Sequence, residues 1–401
     1  MVFSYIGTHN PQFSGMVIRL RKAPRKDTTH EDDARDGRIE DDAEYDAEED
    51  DPSIAFQSKV ISLLVPPKYL PFLESCRVNQ AWLTRLAALA EPSRLVDRTL
   101  KDTIDTNKRR AVLATDLVGG AGWAVEIKPK WAFLPNPKYL SPETRKVKTS
   151  HSRFVMHTHY RAVKGDATPI TSYDPLDLFS EDQDRITIAI EALWDAWIAS
   201  GGTLNNLKIF VEGRLITPSE ALSTSKGLAF YLDPASRGEQ QGSSLAALKQ
   251  SFTRALLPLI TQTELIRSIR TLQSTLDSFD IEGLAALWAQ VHGTEIPLGS
   301  GEPEPTLGEW VAFVNTYHTQ GLKINEQSPT NDQLRYHILA YLLSATFKDC
   351  SVILRYPALS SEEGGKPSVT VIDLDQKPVK SLAKWAQLDR DIAETYAARH
   401  A

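Results

Sequence analysis

Apolar positions recur along this chain at two spacings. Residues 2–7 (VFSYIG) and 15–22 (GMVIRLRK) are short β-branched and aromatic runs around a turn containing Asn10, Pro11 and Gly15, and they predict a hairpin. Residues 111–114 and 123–128, on either side of Gly119-Gly120-Ala121-Gly122, predict a second. Between them, 79–90 reads as a helix, and 54–73 as mixed apolar chain broken by Pro66, Pro67 and Pro71. Two hairpins and a helix make a small α+β unit over residues 1–130. From 131 to 401 helical spacing dominates. Ser180 with Gln183 has the form of a capping box, and Ile186, Ile190, Leu193, Trp194, Trp197 and Ile198 follow as an apolar stripe. Helices are also predicted across 243–291, at 331–347 and at 379–398, with strands at 207–211, 352–354 and 369–374.

Two strand ends break the pattern. WAVEIKPKWAFLP places Glu126, Lys128 and Lys130 at alternate positions, and SVTVIDLDQKP does the same with Asp373, Asp375 and Lys377. Alternate residues share a strand face. Like charges held side by side need a ligand of opposite sign, so these ends read as a site for an anion and a cation together.

Composition narrows the class. The 401 residues are 41% hydrophobic and 8% aromatic, as in a globular enzyme, and no apolar run reaches membrane-spanning length. With only Cys76 and Cys350 and no secretory leader, a reducing compartment, nucleus or cytoplasm, is expected. The net charge is -7, yet residues 31–51 alone carry about -11, which leaves about +4 elsewhere. A mildly basic remainder suits a small anion in a focused pocket and not a nucleic-acid surface. The acidic insertion, about 27–53, lacks the apolar content to order itself and is expected to be disordered.

Each candidate has a plain structural reading. Lysines beside Pro129 suit an exposed strand edge. His157 and His159 in HSRFVMHTHYR have no cysteine or acid at ligand spacing, which argues against a metal. Asp349 of KDCS, between a long apolar helix and a strand, suits a turn former or a base facing a cleft. Asp373 and Asp375 offer hard oxygens to magnesium, but two aspartates alone specify little.

In order, EIKPKWAFLP, SRFVMHTHYR, YDPLDLFS, NNLKIFVEGRLI, KDCS and DLDQKP resemble the motifs of the inositol-pentakisphosphate 2-kinases, most like a fungal member. The resemblance runs from VFSYIG to the C-terminal helix. It implies a two-lobed α+β inositol polyphosphate kinase fold, with an N-lobe over 1–130 and a larger, helix-rich C-lobe over 131–401. It also implies transfer from ATP, with Mg2+, to the 2-hydroxyl of inositol 1,3,4,5,6-pentakisphosphate, giving inositol hexakisphosphate (phytate), by a monomer needing neither nucleic acid nor membrane. Five phosphates demand converging cations. By resemblance these are Lys128, Lys130, Arg161, Lys377 and Arg98, with Asn205 as a neutral donor. Asp349 matches the general base, with Lys128 beside it in the catalytic set. Asp373 matches a magnesium ligand assisted by Asp375, and Arg19, Glu126 and Lys208 fall at nucleotide contacts.

Three departures stand out. The family's glycine-containing loop, GEGxxN, has no counterpart before Met1-Val2-Phe3, so the phosphate-covering turn is expected to be missing or replaced. Ser381 and Trp385 stand where the family often has arginine and tyrosine, with Lys380 or Lys384 as substitute cation. The zinc cluster of plant members is absent, so no structural zinc is expected. The missing loop supports an alternative, a weak or inactive inositol-polyphosphate-binding scaffold; retention of Asp349 and Asp373 opposes it.

Overall fold

In this computed structural model the described residues are 1–25, 48–94, 96–166, 170–223, 227–232, 244–323, 326–358 and 365–400. They form two compact units, Met1–Ser58 with Pro71–Asp116, and Lys59–Leu70 with Leu117–Ala401.

In the first unit, β1 (Val2–Ser4) pairs antiparallel with β2 (Met16–Arg19) as the hairpin pattern predicts. β3 (Lys22–Pro24) and β5 (Asp102–Ile104) form a separate two-stranded ladder. β4 (Leu73–Arg77) and β6 (Arg110–Thr115) complete a sheet of order β1-β2-β6-β4. The helix Gln80–Ala90 is capped by Asn79, whose side chain accepts from Trp82 N. It lays Leu83 on Leu20, Ile104 and Ala111, forming a core with Phe3, Ile18 and Trp82 around it.

The second unit is built on an antiparallel sheet of order β11-β10-β7-β8-β9, from β7 (Gly122–Ile127), β8 (Leu207–Val211), β9 (Arg214–Ile216), β10 (Ser351–Pro357) and β11 (Ser368–Ile372). Every residue of the central β7 is buried. Trp123 stacks across the ladder on Tyr356, ring centroids 4.1 Å apart, and meets Phe252 of the helix Leu245–Gln262. Phe252 in turn packs on Trp194 of the helix Gln183–Ala199, so aromatic rings fill this face of the sheet. The opposite face carries Glu126 and Lys208.

The structure corrects four expectations. The second hairpin does not exist: β6 lies between β2 and β4, and β7 between β10 and β8. The glycines between them lie in the second unit, which the chain enters at Leu117. At Gly122 (φ +126°) a Cβ would lie 2.3 Å from the Tyr356 carbonyl oxygen, so close strand approach accounts for that glycine. Consequently β7, assigned above to residues 1–130, sits in the second unit. The helix at 183 is capped by Asp182, which accepts from Asp184 N and Arg185 N, while Ser180 donates to Asp177 O. Finally, the acidic insertion is structured at its end. Residues 26–47 lie outside the described residues, but Glu48 accepts from Arg109 N at 2.6 Å, Asp50 pairs with Arg110 at 2.5 Å, Asp51 pairs with Arg21 at 3.1 Å, and a helix spans Pro52–Lys59. Basic side chains outside the segment supply the partners that its own composition lacks.

Candidate active site

The register of the second sheet brings the charged residues together. Glu126 on β7 stands opposite Lys208 on β8 and Ile353 on β10. Lys208 Nζ donates to Glu126 Oε2 at 2.9 Å, and Ser351 Oγ lies 3.0 Å from Glu126 Oε1. Beyond Glu126 the strand pattern stops at Ile127, where Pro129 removes a ladder donor. Lys128 is held by backbone and side chain of Asn206: Lys128 N donates to Asn206 O at 3.0 Å, and Asn206 Nδ2 donates to Lys128 O at 3.2 Å.

After Pro129, whose carbonyl accepts from the buried Tyr173 hydroxyl at 2.9 Å, the chain turns through Lys130 at φ +67°. Asp373, the first residue after β11, has φ +62°. Neither residue is glycine, and both occupy the left-handed region, a conformation that persists only where surrounding contacts impose it. Alternation on a strand therefore does not group these charges. Glu126 is on a strand, whereas Lys128, Lys130, Asp373, Asp375 and Lys377 lie on the irregular chain just past two strand ends.

Three ion pairs define the centre. Lys128 Nζ reaches Asp373 Oδ2 at 3.0 Å. Asp349 receives Lys377 on Oδ2 at 2.9 Å and Lys130 on Oδ1 at 3.5 Å. Asp349 caps the C-terminus of the helix Asn331–Lys348, its N donating to Thr346 O, and stands half exposed. The preceding Lys348 turns inward to pair with Asp277 and covers the Trp131 ring at 3.9 Å.

Electrostatics follow from this geometry. Burial works to raise the Asp349 carboxyl, but the Lys377 hydrogen bond and the nearby lysines outweigh it and hold the group below its ordinary 3.8. Burial depresses Lys128, yet Asp373 more than compensates and leaves it raised. Lys130 is lowered, because burial and Lys128 together exceed the pull of Asp349. His157 is pushed down to about 4, first by burial and then by Arg153, Arg161 and Lys130. His159 is turned away from such a role, its Nδ1 lying 2.8 Å from Arg399 Nη1, so the two histidines form no metal pair.

The remaining predicted residues are placed as follows. Arg161 pairs with Asp166 at 2.6 Å at the end of the helix Arg153–Val163. Asn205 is exposed in the turn before β8, while its neighbour Asn206 makes the buried contacts. Asp375 is exposed, with its carbonyl accepting from Thr346 Oγ1 at 3.0 Å. Lys380 and Lys384 are exposed. Arg19, on β2, and Arg98, exposed in the short helix Val96–Thr99, belong to the first unit.

Two residues to which the sequence assigned no role prove central: Ser351, the last residue of KDCS, and Gln273, which lies in none of the motifs. Ser351 is fully buried and touches both Glu126 and Asp373, the latter at 3.0 Å from its Oγ. Gln273, also fully buried, donates to Lys130 O at 3.0 Å and Phe347 O at 2.9 Å and accepts from Ala132 N at 2.8 Å. Serine at a strand start is ordinary, and a lone glutamine in an amphipathic helix is unremarkable in sequence. Away from this centre, Asp280, Glu282 and Asp389 lie close enough together to hold an ion, but the Lys148 ammonium already occupies their midst at 2.5, 3.2 and 2.7 Å.

A family model described as inositol-pentakisphosphate 2-kinase matches residues 1–391. A Cryptococcus neoformans var. neoformans protein named inositol-pentakisphosphate 2-kinase is 34% identical over 365 residues, covering 86% of this chain and 82% of its own. The Arabidopsis thaliana protein of that name is 26% identical over 435 residues, covering 99% and 90%. One from Danio rerio is 25% identical over 332 residues, covering 68% and 66%. Conserved kinase identity across fungus, plant and fish, with a match over nearly the whole chain, makes this protein a kinase of the inositol-pentakisphosphate 2-kinase family.

Proposed function

We propose that this kinase transfers the γ-phosphoryl group of ATP to the axial 2-hydroxyl of inositol 1,3,4,5,6-pentakisphosphate, giving inositol hexakisphosphate, and that its two units are the lobes of an inositol polyphosphate kinase. The supporting observation is the convergence of Lys128, Lys130 and Lys377 on Asp349 and Asp373. Three lysines around two carboxylates leave the resting site with an excess of one positive charge, which a dense polyanion can recruit. Arg161, Asn205 and Arg98 are assigned to further phosphates, and Arg19, Glu126 and Lys208 to the nucleotide.

In this reading Asp349 removes the proton from the attacking hydroxyl. At rest its oxygens are tied to Lys377 and Lys130. Substrate phosphates compete for both lysines, and a carboxylate released from its cations becomes a stronger base. Lys128 stays ionised beside Asp373 and is placed to meet charge on the transferred group. Asp373 and Asp375 fit a divalent cation: among the described residues Asp373 Oδ1 has no partner, its side chain is 43% exposed, and the Asp375 carboxylate is open. When bound, magnesium neutralises phosphate charge. The reaction is proposed for a monomer in the nucleus or cytoplasm, acting on a soluble anion without nucleic acid or a membrane. Among the described residues no helix is long and apolar enough to cross one.

Incubation with inositol pentakisphosphate, labelled ATP and magnesium, with separation of products, tests this directly. Labelled hexakisphosphate is expected. Tight binding of the pentakisphosphate with no labelled product would replace the kinase reading by a binding scaffold.

A further inference from the structure

Ser351 is a neutral group that touches both Glu126 and Asp373. β10 pairs with β11 so that Ser351 stands opposite Ile372, next to Asp373, while Ile353, two residues on, stands opposite Glu126. Its hydroxyl is therefore presented to both acids, 3.0 Å from Glu126 Oε1 and 3.0 Å from Asp373 Oδ2, in a fully buried position. A serine hydroxyl has one proton and two lone pairs. It donates to one carboxylate, and the other then faces a lone pair at hydrogen-bond distance with nothing between them. Lys208 on Glu126 and Lys128 on Asp373 make this arrangement tolerable without removing the conflict.

We propose that Ser351 is a positioning residue that couples the nucleotide and metal sites by turning its single O–H donor between Asp373 and Glu126. Without a cation, the proton is shared between two competing acceptors. With a divalent cation on Asp373, that carboxylate no longer requires the donor, and Oγ–H turns wholly to Glu126. Glu126 is thereby fixed for the nucleotide by two donors, Lys208 on one oxygen and Ser351 on the other. No covalent bond changes; only the direction of one O–H does. Since coupling is reciprocal, the nucleotide side must tighten the metal by the same factor. The inference rests on the assignment of Glu126 to the nucleotide and Asp373 to the metal.

Adenosine and Mn2+ test it on the full chain, because adenosine lacks phosphates and does not chelate the ion. Adenosine affinity is measured by titration with and without Mn2+, and Mn2+ affinity by water-proton relaxation with and without adenosine. In the unmodified protein each ligand is expected to tighten the other by about fivefold or more. Ser351→Ala is expected to bind both while the coupling falls to within about twofold of none. Ser351→Thr, which keeps the hydroxyl, restores it. Ser351→Cys, similar in size but a much weaker donor, gives the same loss should the alanine variant be unstable. Undiminished coupling in both Ser351→Ala and Ser351→Cys, or no coupling in the unmodified protein, overturns the proposal. Asp373→Asn and Glu126→Gln separate the two levels. If they weaken Mn2+ and adenosine respectively while Ser351→Ala still couples, only the serine proposal fails; if neither does so, the site assignment fails and takes the proposal with it.

Discussion

Lys130 and Asp373 hold left-handed backbone conformations at φ +67° and +62°, at a cost of about 1–3 kcal/mol each. Both belong to ion pairs at the centre of the site, so the strain lies where charge must be aimed and not at a loop tip. The same scale gives two predictions. Asp349 is held below 3.8 in the free protein, so its carboxylate is ionised in all but strong acid. Its contribution to stability is present above its unfolded value and is lost as pH falls through the depressed one. The acid limb of kcat/KM due to Asp349 therefore lies below about pH 4, while that of kcat, set in the complex whose phosphates occupy Lys130 and Lys377, lies at higher pH. Coincident limbs in the two profiles would remove the competition for these lysines from the account. His157, pushed to about 4 by burial and three cations, is expected to titrate upward by at least about one unit when a polyphosphate binds, as followed by imidazole NMR shifts.

Elements are joined beneath the site by buried polar groups. Gln273, in the helix Glu264–Leu276, ties the carbonyl of Lys130 to that of Phe347, two residues before Asp349. Gln273→Leu takes the partner from two carbonyls and from the Ala132 N–H, at about 1–3 kcal/mol each, and should lower both melting temperature and kcat. If kcat is unchanged in the folded variant, Gln273 supports the fold without positioning the lysine. Lys148 joins the helices Pro142–Lys148, Asp280–His292 and Leu382–His400 through three carboxylates. Removing it by Lys148→Ala strands buried charge and should cost roughly 3–5 kcal/mol. Asp280→Asn should cost markedly less, because burial and Asp389 already push that carboxyl upward and so weaken its preference for the charged form. Equal losses in chemical denaturation would contradict this.

These elements also explain what the sequence disclosed. Helices such as Asn331–Lys348 and the strand Leu207–Val211 were legible because one segment carries its own periodicity. The pairing of β7 with β8 and β10 was not, because strand partners far along the chain leave no local trace, and two adjacent apolar runs around glycines imitate a hairpin. Lys128, Lys130, Asp349, Asp373 and Lys377 were readable from short charged motifs. The roles of Ser351, although it closes the KDCS motif, and of Gln273 were hidden, since one acts through strand register and the other through a bond spanning 143 residues.

For the whole molecule, charge is divided unevenly. The net -7 comes from the acidic stretch before residue 52, whose end is fastened to Arg21, Arg109 and Arg110 within the first unit, while Lys128, Lys130 and Lys377 gather in the second. In the proposed reading the ligand is set by the lysines around Asp349 and not by the charge of that stretch. At this scale the central claim is that a kinase of this family places Asp349 as the base of phosphoryl transfer to inositol pentakisphosphate. The most direct measurement compares the unmodified protein with Asp349→Asn, following hexakisphosphate formation from labelled ATP and pentakisphosphate affinity in parallel. The account predicts turnover lowered by at least about 10²-fold with affinity changed by less than about tenfold. Normal turnover by the variant would contradict it.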